Sequence, residues 1–350
     1  MKRIARKNIG VLLLLIALAI RFIFSFSEGI FETVYFNGLF PVIRKTQSAL
    51  SFLWILPGYY ALLILLIAWF IWRFPRKKNF RLFLKQLLNL ISGIAAVFLL
   101  LWGYNYVDKG FAKRIELPET AKLIDISEHY LSTMDSAMIY RRAVPEIGTV
   151  QNIVEIKNLP TDSAINEWVK NVLHESGYPI KSTIRVQHIK PSGTLRRINI
   201  AGIYNPFTGE ANLDNALPSL PRIFTTAHEI AHGYGVTSEA EANFVAFLAC
   251  YKSGDALGKY AAAYSLWRQM ASEINKTYPP ESIEILAAQI PPQLWDDRQA
   301  ILESYYKYKG YFPNLSDALN DTYLKIQGIE KGTDDYDGFL QLYFRWLETL

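Results

Sequence analysis

His228, Glu229 and His232 lie in the stretch "FTTAHEIAHGYGVTSEAEANFVAFLAC", Phe224 to Cys250. Two histidines four residues apart project from one face of a helix and can offer two imidazole nitrogens to one metal ion. The glutamate between them leans toward a water on that metal. The chain has only five histidines, and at these frequencies chance would give a His-Glu-x-x-His about 0.004 times. A catalytic zinc ion needs a third protein ligand and an open position for water, and Glu239 and Glu241 are the candidates for that third ligand. On a helix the two point about 200° apart, so only one can face the metal. Glu239 is the favoured ligand and Glu241 the alternative. Asn243 shares the face of Glu239, where it could accept a hydrogen bond from the non-ligating nitrogen of a histidine. Glu241 stands at capping-box spacing from Ser238.

These residues need two helices and a break between them. Thr225 or Thr226 can begin the first helix, and Gly233-Tyr234-Gly235 should end it, because glycine tolerates the left-handed conformation of a helix terminus. Thr237 or Ser238 then caps the second. Upstream, "PETAKLIDISEHYLSTMDSAM" and "TDSAINEWVKNVLHESGYP" have amphipathic helical patterns, the latter opening on Thr161 or Asp162. "STIRVQHIK", the turn "PSG" and "TLRRINIAGIY" alternate like a hairpin. "GEANLDN" is an extended stretch. Downstream the pattern is helical to the end: "ALGKYAAAYSLWRQMASEI", "PQLWDDRQAILESYYKYK", "LSDALNDTYLKI" and "YDGFLQLYFRWLETL". A small sheet followed by many helices predicts an α+β fold for residues 106–350.

Residues 1–105 have a different composition. Three apolar runs, about 9–26, 52–72 and 87–104, are long and uncharged enough to predict transmembrane helices; Arg21 is the single charge among them and can snorkel. The basic head of the chain resembles that of a signal peptide, but no small-x-small cleavage site follows, so the first span is expected to be retained. Lys2, Arg3, Arg6 and Lys7 precede the first run, and "RFPRKKNFRLFLK" joins the second to the third. Both segments should therefore be cytoplasmic, which puts residues 106–350 outside. The aromatic segment between the first two runs should lie along the outer membrane surface. The net charge of +5 needs no nucleic-acid partner, because much of it sits in those juxtamembrane clusters, where anionic lipid is the natural counter-charge. One cysteine, Cys250, excludes an intrachain disulfide framework, and its apolar helical setting predicts a buried, inert thiol.

"HEIAH" followed by "EAEAN" resembles the gluzincin arrangement, in which His-Glu-x-x-His is completed by a Glu-x-x-Ala-Asp-like element on the next helix. That resemblance places Glu239 at the ligand position and Asn243 where the family element has Asp. The gap from His232 to Glu239 is shorter than in most gluzincins. Gly235 falls where the metzincin pattern has its turn glycine, but Ser238 stands where that pattern has a third histidine. Nearly the whole chain, including "VYFNGLFPVIRKTQSALSFLWILPGYY" and "GIYNPFTGEANLDNALPSLP", resembles a group of bacterial membrane proteins of unknown function with three N-terminal spans and an outward zincin-like domain. The resemblance implies a zinc metallopeptidase fold and a location in the cytoplasmic (inner) membrane. It also gives "GEANLDN" an expected role as the strand that holds substrate beside the metal helix. Tyrosine or histidine commonly stabilises the oxyanion in such enzymes; among 21 tyrosines the pattern singles out none, and Tyr336 stands as an arbitrary candidate. His129, His174 and His188 are expected to be structural.

The expectation is thus a multi-pass membrane protein whose outer domain binds Zn2+ through His228, His232 and Glu239. Glu229 would serve as general base in hydrolysis of a peptide or protein substrate. The rivals are a zinc-stabilised binding or scaffold domain without turnover and a zinc hydrolase of a cell-wall amide.

Overall fold

The computed structural model describes residues 8–51, 56–73, 80–121, 125–144, 153–308 and 338–350. The fold is mainly helical with one small sheet, an α+β arrangement. It divides into two compact units, Met1–Lys109 with Lys181–Arg185 and Asn205–Glu210, and Gly110–Ile180 with Val186–Tyr204 and Ala211–Leu350.

In the first unit α1 (Ile9–Phe26) packs on α4 (Phe80–Leu101), and these two helices are long and apolar enough to cross a membrane. Small residues allow the approach: a Cβ on Gly10 would lie 1.9 Å from the Asn89 carbonyl oxygen, so only glycine fits there. The Gly10 N–H donates to the Asn89 side chain at 2.8 Å. The last of the three predicted spans therefore starts earlier than expected, taking in Arg81 and Lys85. It ends before Gly103–Val107, which is a 3-10 turn. The middle run gives α3 (Gly58–Arg73), an apolar helix of 16 residues. At about 1.5 Å per residue it falls short of a hydrocarbon layer of about 30 Å; residues 52–55 of the predicted span lie outside the described residues, as do Lys2, Arg3, Arg6 and Lys7. Between α1 and α3 the chain is helical, in three parts: Glu28–Ile30, a π-helical stretch Phe31–Leu39, and α2 (Phe40–Ser51). Phe24, Phe31, Tyr35 and Tyr104 form a buried aromatic cluster with ring centroids 5.1–6.1 Å apart.

The second unit contains α5 (Ile126–Arg142), α6 (Asp162–Glu175), α7 (Ser219–Gly233), α8 (Glu239–Lys252), α9 (Ala256–Thr277), α10 (Pro280–Ala287), α11 (Pro292–Tyr306) and α12 (Gly338–Leu347). Thr161 caps α6, as its sequence predicts. "LSDALNDTYLKI" and Tyr336 lie outside the described residues. A buried brace ties three helices: Arg141 of α5 donates to both oxygens of Asp297 on α11 at 2.7 and 3.1 Å, and the Tyr260 hydroxyl of α9 donates to Asp297 at 2.6 Å.

The sheet corrects the expected hairpin. Its strands are β1 (Arg185–Ile189), β2 (Gly202–Asn205) and β3 (Glu210–Asp214), in the order β1-β3-β2. "STIRVQHIK" and "TLRRINIAGIY" are therefore not paired, and part of the latter is a 3-10 turn, Arg196–Ile198. The hairpin is β2–β3, with the Asp214 N–H on the Ala201 carbonyl and the Gly209 N–H on the Asn205 carbonyl. β1 lies parallel to β3, since the Asn215 N–H bonds the Ile189 carbonyl where both strands end. The segment after β1 turns away because the buried Asp214 carboxylate collects the N–H groups of Gly193, Leu195, Arg196 and Ala216 at 2.7–2.9 Å. Sequence alternation carries no signal of that long-range demand.

Candidate metal centre

α7 brings the two histidines and Glu229 together. It begins at Ser219, with Pro218 as N-cap, rather than at Thr225 or Thr226. The longer helix follows from Leu220, Ile223, Ala227, Ile230 and Ala231, all at most 1% exposed and spaced to line one face. Pro221 sits in the first turn, where backbone N–H groups have no intrahelical acceptor to lose. Burying this face fixes the rotation of the helix, and so the direction of His228, Glu229 and His232.

The helix ends where the glycines predict. Gly235 has φ +99°, the Gly235 N–H donates to the His232 carbonyl at 3.0 Å and the Val236 N–H to the Ala231 carbonyl at 3.2 Å. This pair of bonds is a Schellman turn. The turn also aims the Val236 carbonyl back at His232, whose Nδ1 it meets at 2.7 Å. Ser238 then caps α8, accepting from the Glu241 N–H at 3.3 Å. Glu239 follows as the first residue of α8, one turn before Asn243, and the Asn243 Oδ1 meets the His228 Nδ1 at 2.9 Å.

Both Nδ1 atoms face oxygen acceptors, so each carries a proton, and in the neutral ring each Nε2 presents a lone pair. The two Nε2 atoms are 3.0 Å apart, and the Glu239 Oε2 lies 3.2 Å from one and 3.5 Å from the other. That oxygen is buried and is met, among the described residues, by the two histidines alone. Three ligands at about 2.0–2.1 Å from a tetrahedral zinc would be about 3.3 Å from one another. Two imidazoles, which ligate in the neutral form, and a carboxylate oxygen turned to both of them, at these separations, fit such an ion. They form the one group of this kind found among the described residues. His129 instead packs on Phe344, and His188 meets Asp162 at 3.3 Å.

The electrostatics point the same way. Burial opposes charge on His232, but the Glu239 carboxylate, with help from Glu229, outweighs it and raises the imidazole to about 9. Burial likewise opposes charge on Glu239, yet the two histidines hold it well below the usual carboxylate range. The cluster draws a positive charge into its centre, the place a divalent ion would take. Glu229 differs: burial is the dominant influence and pushes its carboxyl up, against the lowering influence of the two histidines. Its carboxylate receives the Tyr204 N–H of β2. A Cβ on Gly202 would lie 2.8 Å from the Glu229 Cγ and Oε1.

Glu241 turns elsewhere. Its Oε1 accepts the Ala112 N–H at 2.9 Å, and it lies so close to Gly110, at φ +88°, that a Cβ there would meet it at 2.6 Å. It thus anchors the single turn Phe111–Arg114. "GEANLDN" is not the exposed edge expected of it: β3 is the central strand and every residue of it is buried. The strand beside Glu229 is β2, an edge strand. Gly202, the Tyr204 N–H and the Val236 carbonyl are parts of the site that the sequence reading misses. Only the Val236 carbonyl had a signal, since a Schellman turn directs the groups that follow its glycine. Cys250 is fully buried, and burial pushes its thiol up, consistent with an inert side chain.

The family described as "Protein of unknown function (DUF3810)" matches residues 32–344, and the chain belongs to it. No curated protein matches the chain, and no solved structure does.

Proposed function

We propose that this member of the family is a zinc-dependent metallopeptidase, held by three spans in a bacterial inner membrane, with a zincin-like domain outside the cytoplasm. The observation that carries the reading is the convergence of His228 Nε2, His232 Nε2 and the buried Glu239 Oε2, with Glu229 buried beside them. Zinc bound there would supply Lewis acidity to a peptide carbonyl and lower the pKa of water. Asn243 and the Val236 carbonyl hold the imidazoles in the tautomer that ligation needs. Glu229 takes the proton from the attacking water and passes it to the leaving amine, and its raised pKa favours that shuttle. An extended peptide could add to the β2 edge, and the missing side chain of Gly202 lets Glu229 pack against that strand. The location rests on the apolar helices α1 and α4, on the uncharged run Phe52 to Trp72, and on the basic residues at the head of the chain and between Arg73 and Lys85. A zinc-stabilised scaffold would leave the carboxylate of Glu229 without a use.

Zinc stoichiometry of purified protein tests the ligand set. Wild type and Glu241→Ala should bind the ion and Glu239→Ala should lose it. Glu229→Gln should keep zinc and lose peptide hydrolysis; cleavage by that pure variant would sink the proposal.

A further inference from the structure

The loop that joins β1 to β2 docks on the C-terminal end of α11, and both lie in the second unit. Gly193, at φ +86°, sits so close to the Tyr308 ring that a Cβ would have no room. Three residues on, the Arg196 guanidinium is stacked on the Tyr305 ring, 3.9 Å from its centroid. The backbone there is pinned, because the Leu195 and Arg196 N–H groups donate to the Asp214 carboxylate at 2.7 and 2.9 Å. The guanidinium has no such partner. Its Nε is buried without a hydrogen bond, and the side chain forms no ion pair among the described residues. Asp214 acts on it from a distance but commits both oxygens to four backbone N–H groups. Arg268 of α9 brings a second cation, which bears on Arg196 and, together with it, on the Tyr305 hydroxyl. Arg268 is exposed and has no hydrogen bond or ion pair among the described residues. Burial, with the Arg268 charge added to it, holds Arg196 below the usual arginine range.

Two cations and a phenol hydroxyl thus converge with donors to offer and no acceptor of their own. Like charges gathered at a half-buried place are unfavourable unless an anion stands with them. We propose that Arg196, Arg268 and Tyr305 form a binding site for a carboxylate group. A guanidinium whose face lies on an aromatic ring presents its edge, and the N–H groups of that edge match the two oxygens of a carboxylate. Position indicates whose carboxylate it is. Asp214 ties Arg196 to the start of β2, since the Asp214 N–H donates to the Ala201 carbonyl and Glu229 packs on the next residue, Gly202. Arg196 therefore stands on the order of 10 Å from that contact, about three residues of extended chain. The site would hold an acidic residue of a peptide lying along β2. Assigning the carboxylate to a peptide rests on the peptidase reading; the site itself uses no zinc ligand and does not.

Amide resonances of Gly193, Thr194 and Leu195, followed on the full chain in nanodiscs of zwitterionic lipid at constant ionic strength, test the site. Acetate should shift them saturably, and acetamide, its neutral counterpart of the same shape, should not. Arg268→Gln should weaken acetate binding by about tenfold or more and Tyr305→Phe by about threefold, while zinc-free Glu239→Ala protein should bind acetate as wild type does. Equal responses to acetate and acetamide overturn the site, as does acetate binding unchanged in both Arg196→Gln and Arg268→Gln. Tighter binding of inorganic phosphate than of acetate overturns the choice of a carboxylate. Digestion of a mixed peptide library tests the peptide. Wild type should prefer an acidic residue at one position near the scissile bond, and Arg268→Gln should still cleave but lose that preference. The same preference in both proteins overturns the peptide assignment. Absence of cleavage by both overturns the peptidase reading and the peptide assignment with it, and acetate binding then decides the site alone.

Discussion

Leu15, Ile64 and Ile71 of the first unit are 60%, 65% and 65% exposed, whereas Ile230, Phe244 and Leu294 of the second are fully buried. The same kinds of side chain are turned outward in one unit and inward in the other. Polar groups are also buried in both, but to different ends. In the first unit Arg44, Gln47 and Asn105 are buried and donate to backbone carbonyls. In the second, His228, His232 and Glu239 face one another. The second unit buries its apolar surface away from water, while α1 and α4 of the first keep an outward aliphatic surface and are long and apolar enough to cross a membrane.

The largest expected effect tests that contrast directly. Phe244→Ala empties a site packed against Phe111 and Trp346 and should destabilise the fold by about 3–5 kcal/mol in thermal or chemical denaturation. Ile64→Ala should stay within about 0.5 kcal/mol. Equal losses would erase the distinction.

The next concerns the charge drawn into the metal centre. In chelator-treated protein, His232 has a folded value of about 9 against an ordinary value of 6.5. Its contribution is therefore complete below about 6.5 and is lost as pH rises through 9. At about 1.36 kcal/mol per unit this is between about 3 and 4 kcal/mol. Glu239, held low, stays ionised across that window and contributes no slope. The midpoint of thermal unfolding of metal-free protein should fall between pH 6.5 and 9, and a flat profile would contradict the assignment.

Two asparagines sharpen the comparison further. Asn243→Ala should weaken zinc binding by about 10–100-fold in competition titrations, because His228 loses the partner that fixes its tautomer. Asn89→Ala, in the first unit, should leave zinc affinity unchanged. The smallest effect belongs to Glu241→Ala, which removes the acceptor of the Ala112 N–H. It should lower stability by about 1–2 kcal/mol without loss of zinc.

Much of the centre was legible because its determinants are local. The His228/His232 spacing, the Gly235 break, the Ser238 cap and the placement of Glu239 with Asn243 all follow from helix geometry within 16 residues, and the structure has each of them. The sheet was less legible. "GEANLDN" looked like an exposed strand and is the buried central one, because its neighbours come from both sides of it and Asp214 draws in a turn about 20 residues upstream. The start of α7 was misplaced for a related reason: a cap-like threonine pair is a weak local signal, and burial of Leu220 and Ile223 overrides it.

The sequence by itself pointed to three apolar spans, of which α1 and α4 are long and apolar enough to cross a membrane, to an α+β remainder, and to two histidines and a glutamate that a helix must carry on neighbouring positions. Periodicity and hydropathy act over a few turns, so these features needed nothing distant. Only the tertiary structure decided that Glu241 holds Ala112 and that the edge strand at Glu229 is β2. Those outcomes depend on which faces of α7, α8 and the sheet are buried together, and that choice is made by contacts between residues far apart in the chain.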